Sequence, residues 1–167
     1  MTTRSENTVT IAQPAEKVHQ ALCNADYWAH ITQHLSPEPG EVHEFNEQDS
    51  GAVATLFEVL PQELLPEAVR AMISQSLKVK RVVTVGALND GQAQNSYTAD
   101  VKGTPVDFKG DISLRGEGDS TVLEYANEVT VNIPFMGGAI EPKVAEALGE
   151  LFDNEGKLTE QWIAENL

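Results

Sequence analysis

Thr121-Val122-Leu123-Glu124-Tyr125-Ala126-Asn127-Glu128-Val129-Thr130-Val131-Asn132-Ile133 alternates in polarity, and Pro134-Phe135-Met136-Gly137-Gly138-Ala139-Ile140 ends the alternation. In the first stretch Leu123, Tyr125, Asn127, Val129, Val131 and Ile133 share one face, with Glu124, Glu128, Thr130 and Asn132 opposite. That two-residue period belongs to a strand with one wet face. After Gly138 the period lengthens. Ile140, Val144, Leu148, Leu151 and Phe152 hold to one face of a helix, and Leu158 and Trp162 return to it. Pro142 falls in the first turn, where a missing N–H is harmless.

Working back from this junction, the same period of two predicts strands at 41–47, 52–60, 77–87, 92–101 and 106–115. They are separated by turn signals at Asp49-Ser50-Gly51, Asn89-Asp90-Gly91, Lys102-Gly103-Thr104-Pro105 and Gly116-Glu117-Gly118-Asp119. Short turns between consecutive strands make an antiparallel meander. Residues 61–76 interrupt it: Pro61 and Pro66 precede Ala68, Val69, Met72 and Ile73 at helical spacing, which predicts a short amphipathic helix in a long connection. At the front, Val9 and Ile11 alternate within a strand at 7–13. Pro14 then opens a helix with Val18, Ala21, Leu22 and Ala25 on its apolar side, Asn24-Ala25-Asp26 breaks it, and Trp28, Ile31 and Leu35 mark a second short helix. The expected fold is α+β: seven antiparallel strands in a curved sheet wrapped around a long C-terminal helix, with two short helices after the first strand. A curved sheet and a straight helix do not mate along their whole length, so a space between them is the expected site.

Composition bounds the function. The 167 residues suit one domain spanning 1–167, and an apolar fraction of 41% with 22% charged residues suits a folded globule. With 11 basic against 26 acidic side chains the net charge is −15, which opposes nucleic acid and anionic membranes as partners. No apolar run is long enough to span a bilayer, so stable membrane insertion is not expected, and the polar start lacks the apolar segment of a signal peptide. A cytoplasmic protein is the expectation, and the single cysteine, Cys23, agrees with a reducing compartment.

Val9-Thr10-Ile11-Ala12-Gln13-Pro14-Ala15-Glu16-Lys17-Val18 followed by Asp26-Tyr27-Trp28 resembles the opening of the START and pollen-allergen (Bet v 1-like, SRPBCC) superfamily, whose fold is the helix grip. More narrowly, Val18-His19-Gln20-Ala21-Leu22-Cys23, Tyr27-Trp28 and Ile133-Pro134-Phe135-Met136-Gly137-Gly138-Ala139-Ile140-Glu141 resemble a bacterial family within it, domain of unknown function 2505. The superfamily includes lipid and sterol carriers, hormone receptors, aromatic-ring cyclases, co-chaperones and oxygenase subunits. The resemblance therefore implies a fold and a kind of cavity, and it transfers no catalytic residue.

The alternation also says which side chains face the cavity. Val106, Phe108, Ile112 and Leu114 share a face, with Gly110 leaving room among them; Tyr97, Ala99 and Val101 do so on the preceding strand, and Leu77, Val79, Val83 and Val85 on the one before. The expected ligand-binding set is Arg81, Tyr97, Phe108, Tyr125, Asn127, Leu148 and Phe152. Arg81 lies in register with Val79 and Val83 and should point inward, where a buried charge needs a partner. One reading makes it the anchor for a ligand's acidic head. The preferred ordinary reading lets it reach solvent or pair with a neighbouring acid. Glu155 falls in the middle of the last helix's apolar stripe, but a bend at Asp153-Asn154-Glu155-Gly156 is the preferred reading and turns it outward.

No catalytic set assembles. His30 and His34 are four apart without a third metal ligand, Cys23 reads as a small buried side chain, and no nucleophile elbow or phosphate loop is present. No cofactor and no metal are expected. The first functional reading is a module that holds a small hydrophobic or amphipathic ligand, such as a lipid, fatty acid or polyketide-like aromatic, with 61–76 as a gate. The alternatives are a polyketide cyclase or dehydratase, favoured by acid, Tyr and Arg gathered in one pocket, and a co-chaperone or stress-type interaction domain with an unidentified protein partner.

Overall fold

The structure, a computed structural model, describes residues 2–35, 39–48, 50–60, 67, 77–101, 106–132 and 137–167. The elements run β1 (Thr2–Ile11), α1 (Ala15–Leu22), α2 (Ala25–His34), β2 (Glu41–Glu47), β3 (Ala52–Leu60), β4 (Leu77–Val85), β5 (Gln92–Val101), β6 (Val106–Glu117), β7 (Ser120–Val131) and α3 (Gly137–Asn166). Seven strands form one sheet in the order β1-β7-β6-β5-β4-β3-β2, antiparallel throughout. β2 to β7 follow each other as the turn signals require. β1 instead crosses to the far edge, where it pairs with β7.

That crossing explains why β1 starts at Thr2 rather than at residue 7. Thr2 to Glu6 carry no apolar alternation of their own, and their strand conformation comes from β7, with Thr2 opposite Thr130 and Ser5 opposite Asn127. The register of an edge strand is supplied by its neighbour as much as by its own pattern. The segment 61–76, apart from Glu67, lies outside the described residues, and so does the expected helix and gate there.

α1 buries Ala15, Val18, Ala21 and Leu22. Ala25, expected on that same face, is exposed at the start of α2, because Asn24 caps the new helix by accepting a hydrogen bond from the Asp26 N–H at 2.8 Å. α2 buries Trp28 and Ile31 as expected, and also Tyr27.

α3 runs without a break through Asp153, Asn154, Glu155 and Gly156. The expected bend is absent, and Gly156 has a different purpose. A Cβ on Gly156 would lie 2.5 Å from Val9 Cγ1, and one on Gly149 would lie 2.7 Å from Asn7 Nδ2. These two glycines, one heptad apart, let α3 settle directly on β1. A single apolar core of side chains from all three helices and from β1 and β3–β7 fills the concave side of the sheet, with Val42 and Phe45 of β2 packed against it. Asp107, Asp111 and Glu124 stand exposed on the other side. No helix among the described residues is long and apolar enough to cross a membrane.

Candidate functional site

Cross-strand registry assembles the site from two rows on the concave face. In one, Leu56 of β3 stands opposite Arg81 of β4, which stands opposite Ala99 of β5 and then Phe108 of β6. In the other, Val83, Tyr97, Gly110 and Asn127 follow one another across β4, β5, β6 and β7. Glu58 lies two residues beyond Leu56 on β3, on the same face and diagonal to Arg81.

Arg81 points inward, as its alternation with Val79 and Val83 requires, and is 4% exposed. Its Nη2 donates to Glu58 Oε1 at 2.7 Å and its Nη1 to Glu155 Oε2 at 2.8 Å. The guanidinium carbon sits 5.7 Å from the centre of the Trp28 ring, within cation–π range. Its anchoring role toward a ligand acid is thus already filled by two carboxylates of the chain itself, one of which, Glu155, comes from the unbroken α3. Nε is the one guanidinium nitrogen with no hydrogen-bond partner among the described residues.

Around this triad the tyrosines are tied in place. Tyr27 Oη and Thr159 Oγ1 lie 2.7 Å apart, and Thr159 Oγ1 donates to the Glu155 carbonyl at 2.7 Å, so the second turn of contacts holds α2 to α3 beside Glu155. Tyr97 Oη donates to Asn127 Oδ1 at 2.5 Å, and Asn127 Nδ2 donates to Asn7 Oδ1 at 2.7 Å. Gly110 stands between Tyr97 and Asn127 in the row. A Cβ there would lie 2.7 Å from Tyr97 Cε1 and 2.9 Å from Asn127 Oδ1, so only glycine leaves the path across the row open. Tyr125 stacks on Phe152 with ring centres 4.1 Å apart.

The charges bear on one another. Burial, the largest influence, pushes the Glu58 carboxyl above its ordinary range despite Arg81, with Glu155 adding to the rise. Burial by itself would lower Arg81, but Glu155 and Glu58 together hold it above its ordinary value, and it stays charged. Burial first, and then Glu155, raises Tyr27 and Tyr125; burial also raises Tyr97, so all three are phenols near neutrality.

Between these side chains lies a cavity of about 30 Å³, lined by Ile11, Leu22, Tyr27, Trp28, Arg81, Val83, Asn95, Tyr97, Ile112, Leu123, Tyr125, Phe152, Glu155 and Thr159 among others. That is room for about two water molecules. Four of the seven expected residues, Arg81, Tyr97, Tyr125 and Phe152, meet on its surface. Phe108, Asn127 and Leu148 are buried but are not on the lining. The space expected between sheet and helix is therefore largely occupied by aromatic rings.

Tyr27, Glu58, Asn95 and Thr159 went unread in the sequence. Glu58 carried little signal: the two-residue period puts it on one face with Ala52, Ala54 and Leu56, but the opposite face, Val53, Thr55, Phe57 and Val59, is just as apolar, so the pattern alone did not say which face turns inward. Tyr27 carried none, since it sits beside the Trp28 stripe and is buried only because α2 meets α3 through Trp162, 5.5 Å from the Tyr27 ring. His30 and His34 stack on each other with ring centres 4.2 Å apart, and His34 Nδ1–H donates to the His30 carbonyl at 2.8 Å. Cys23 is half-buried, and burial and then Glu47 raise its thiol, the opposite of an activated thiolate.

A seven-stranded antiparallel sheet curved around a long C-terminal helix, with two short helices after the first strand, is the helix-grip fold, the fold class of START and Bet v 1-like structures. Solved structures share it: Ara h 8.0201 aligns over 99% of this chain and 100% of its own with a TM-score of 0.63 at 13% identity. A START superfamily protein from Mycobacterium smegmatis aligns over 98% and 99% with a TM-score of 0.53 at 15% identity. Within that class the chain belongs to the family described as protein of unknown function DUF2505, which matches residues 6–163. An uncharacterized protein of Mycobacterium tuberculosis is 30% identical over 162 residues, covering 91% of each chain.

Proposed function

We propose that the protein is a binding module for a small hydrophobic or amphipathic molecule held between the sheet and α3. The observation that carries this reading is a cavity with aliphatic and aromatic walls and one charged pole, Arg81 with Glu58 and Glu155. At about 30 Å³ the cavity does not admit even one aromatic ring as it stands. Binding is therefore coupled to movement, with the Tyr125–Phe152 stack and the helices α2 and α3 giving way. The ligand-contacting residues on this reading are Arg81, Tyr97, Tyr125 and Phe152, with Phe108, Asn127 and Leu148 supporting them from behind. The protein acts in the cytoplasm, a reading supported by its single unpaired cysteine.

Native mass spectrometry of protein purified from its host tests this directly. A bound small molecule that dissociates on activation is the expected result. Protein of bare chain mass, together with no response to a panel of lipids and aromatics, overturns the reading and leaves an interaction role, in which the acidic surface selects a basic partner.

A cyclase- or dehydratase-type enzyme is a second reading, and one observation favours it. Glu155, Arg81 and three tyrosines line one cavity, and Glu58, held against Arg81 beside it, is raised above its ordinary value by burial. Turnover of a polyketide-like substrate that is lost in Glu58→Gln with binding retained would select it.

A further inference from the structure

We infer that the site is selective for a neutral molecule presenting an oxygen acceptor, a hydroxyl or a carbonyl, to Arg81 Nε–H, and that it rejects carboxylates. The inference rests on the binding reading above and specifies its ligand class.

Two observations carry it, and each removes a different kind of ligand. The first is charge. Arg81 brings one positive charge into the site, and Glu58 and Glu155 bring two carboxylates against it, with side chains only 5%, 6% and 9% exposed. With both ionised the pole is net negative; with Glu58 protonated it is neutral. In neither state is a positive charge left over. An entering carboxylate would either set one more negative charge against a single buried cation or displace Glu58 or Glu155 and leave it buried and unpaired, a heavy penalty in both cases.

The second observation is the orphan donor. Four of the five guanidinium N–H groups lie on Nη1 and Nη2, and these nitrogens hold the two carboxylates. Nε–H is buried without an acceptor among the described residues, on a side chain that lines the cavity. A buried donor of this kind asks for a lone pair. An ammonium satisfies the charge argument but offers no lone pair and sets a second cation beside Arg81. A neutral oxygen meets both conditions, and the aromatic walls from Trp28, Tyr97, Tyr125 and Phe152 accept the rest of the molecule.

The test uses two matched series on the full chain at pH 7: phenol, benzoate and benzylammonium, and 1-octanol, octanoate and octylammonium. Binding is read by NMR from the methyl groups of Val83, Ile112 and Leu123 and from the Arg81 Nε–H resonance. The expected result is that phenol and 1-octanol move both, at affinities at least about tenfold above those of the matched anion and cation. In Glu155→Gln, with near-ultraviolet circular dichroism confirming native packing, benzoate should gain on phenol because one competing carboxylate is gone. Benzoate or octanoate equal to its neutral partner in the wild type overturns the inference and leaves the binding module standing; so does preference for the ammonium, or methyl shifts with no response at Nε–H. If no probe in either series moves the inward methyls, the orphan donor serves bound water only, and both the inference and the binding reading fall. The wild-type series decides the matter even if the variant does not fold.

Discussion

Arg81 of β4 and Glu155 of α3, 74 residues apart in the chain, meet in a 2.8 Å hydrogen bond inside the core. Glu58 closes the other side of the guanidinium at 2.7 Å, so sheet and helix are joined by a buried triad with one more carboxylate than cation.

The excess carboxylate makes stability depend on pH. Burial raises Glu58 above its unfolded value near 4.3, so the native state binds a proton more tightly than the unfolded chain. The contribution of this group is favourable below its unfolded value and is lost as pH rises through its raised folded value. Gln mimics the protonated form. Relative to Glu58→Gln, the wild type should thus lose ground as pH rises above the unfolded carboxyl value of about 4.3, as measured by urea unfolding at each pH. A wild type that gains on the variant over that range would show that Glu58 is held down by Arg81 instead.

Removing the cation alone should be far worse than removing all three charges. Arg81→Ala leaves two buried carboxylates facing each other and is expected to cost about 3–5 kcal/mol. Glu58→Leu, Arg81→Met and Glu155→Leu combined should fold with stability close to the wild type, because buried ion pairs seldom surpass an apolar replacement. Thermal and denaturant unfolding compare the two, and a triple variant as unstable as Arg81→Ala would mean that the triad itself is needed to hold α3 to the sheet.

Gly156→Ala should destabilise in spite of helix propensity. Alanine gains about 1 kcal/mol over glycine inside a helix, but its Cβ would meet Val9 Cγ1 at 2.5 Å, and overpacking costs about 1–3 kcal/mol. Val9→Ala removes the obstructing methyl. In a double-mutant cycle the pair should therefore couple favourably by at least about 0.5 kcal/mol. Additive effects would place the strain elsewhere.

Gly110→Ala should cost about 1–3 kcal/mol, because a Cβ comes within 2.7 Å of both Tyr97 Cε1 and the Ala126 carbonyl oxygen. The same substitution should push the Tyr97 hydroxyl off Asn127 Oδ1, visible as a shift of the Asn127 side-chain amide in NMR spectra. Unchanged stability and amide would show that β6 can move aside.

Much of this was legible residue by residue. Strand alternation around Tyr125 and Asn127, and between Val79 and Val83, correctly faced each side chain inward, since a side chain's face follows from its own strand's period. It likewise faced Arg81 inward. Glu155 was misread because Asn154 and Gly156 carry a local breaker signal. The helix continues because the close approach of α3 to β1 requires glycine there, a fact about contact rather than local preference.

The sequence by itself determined the order of elements, the inward faces of the strands and the amphipathic stripe of α3, all of which are encoded within windows of a few residues. Only the tertiary structure decided which of the inward charges meet. Glu58, Arg81 and Glu155 come together through the register of β3 on β4 and the axial position of α3 on the sheet. The size of the cavity was decided in the same way, because the rings of Tyr27, Trp28, Tyr97, Tyr125 and Phe152 arrive from four different elements, and the volume left among them depends on their packing together and not on any one local pattern.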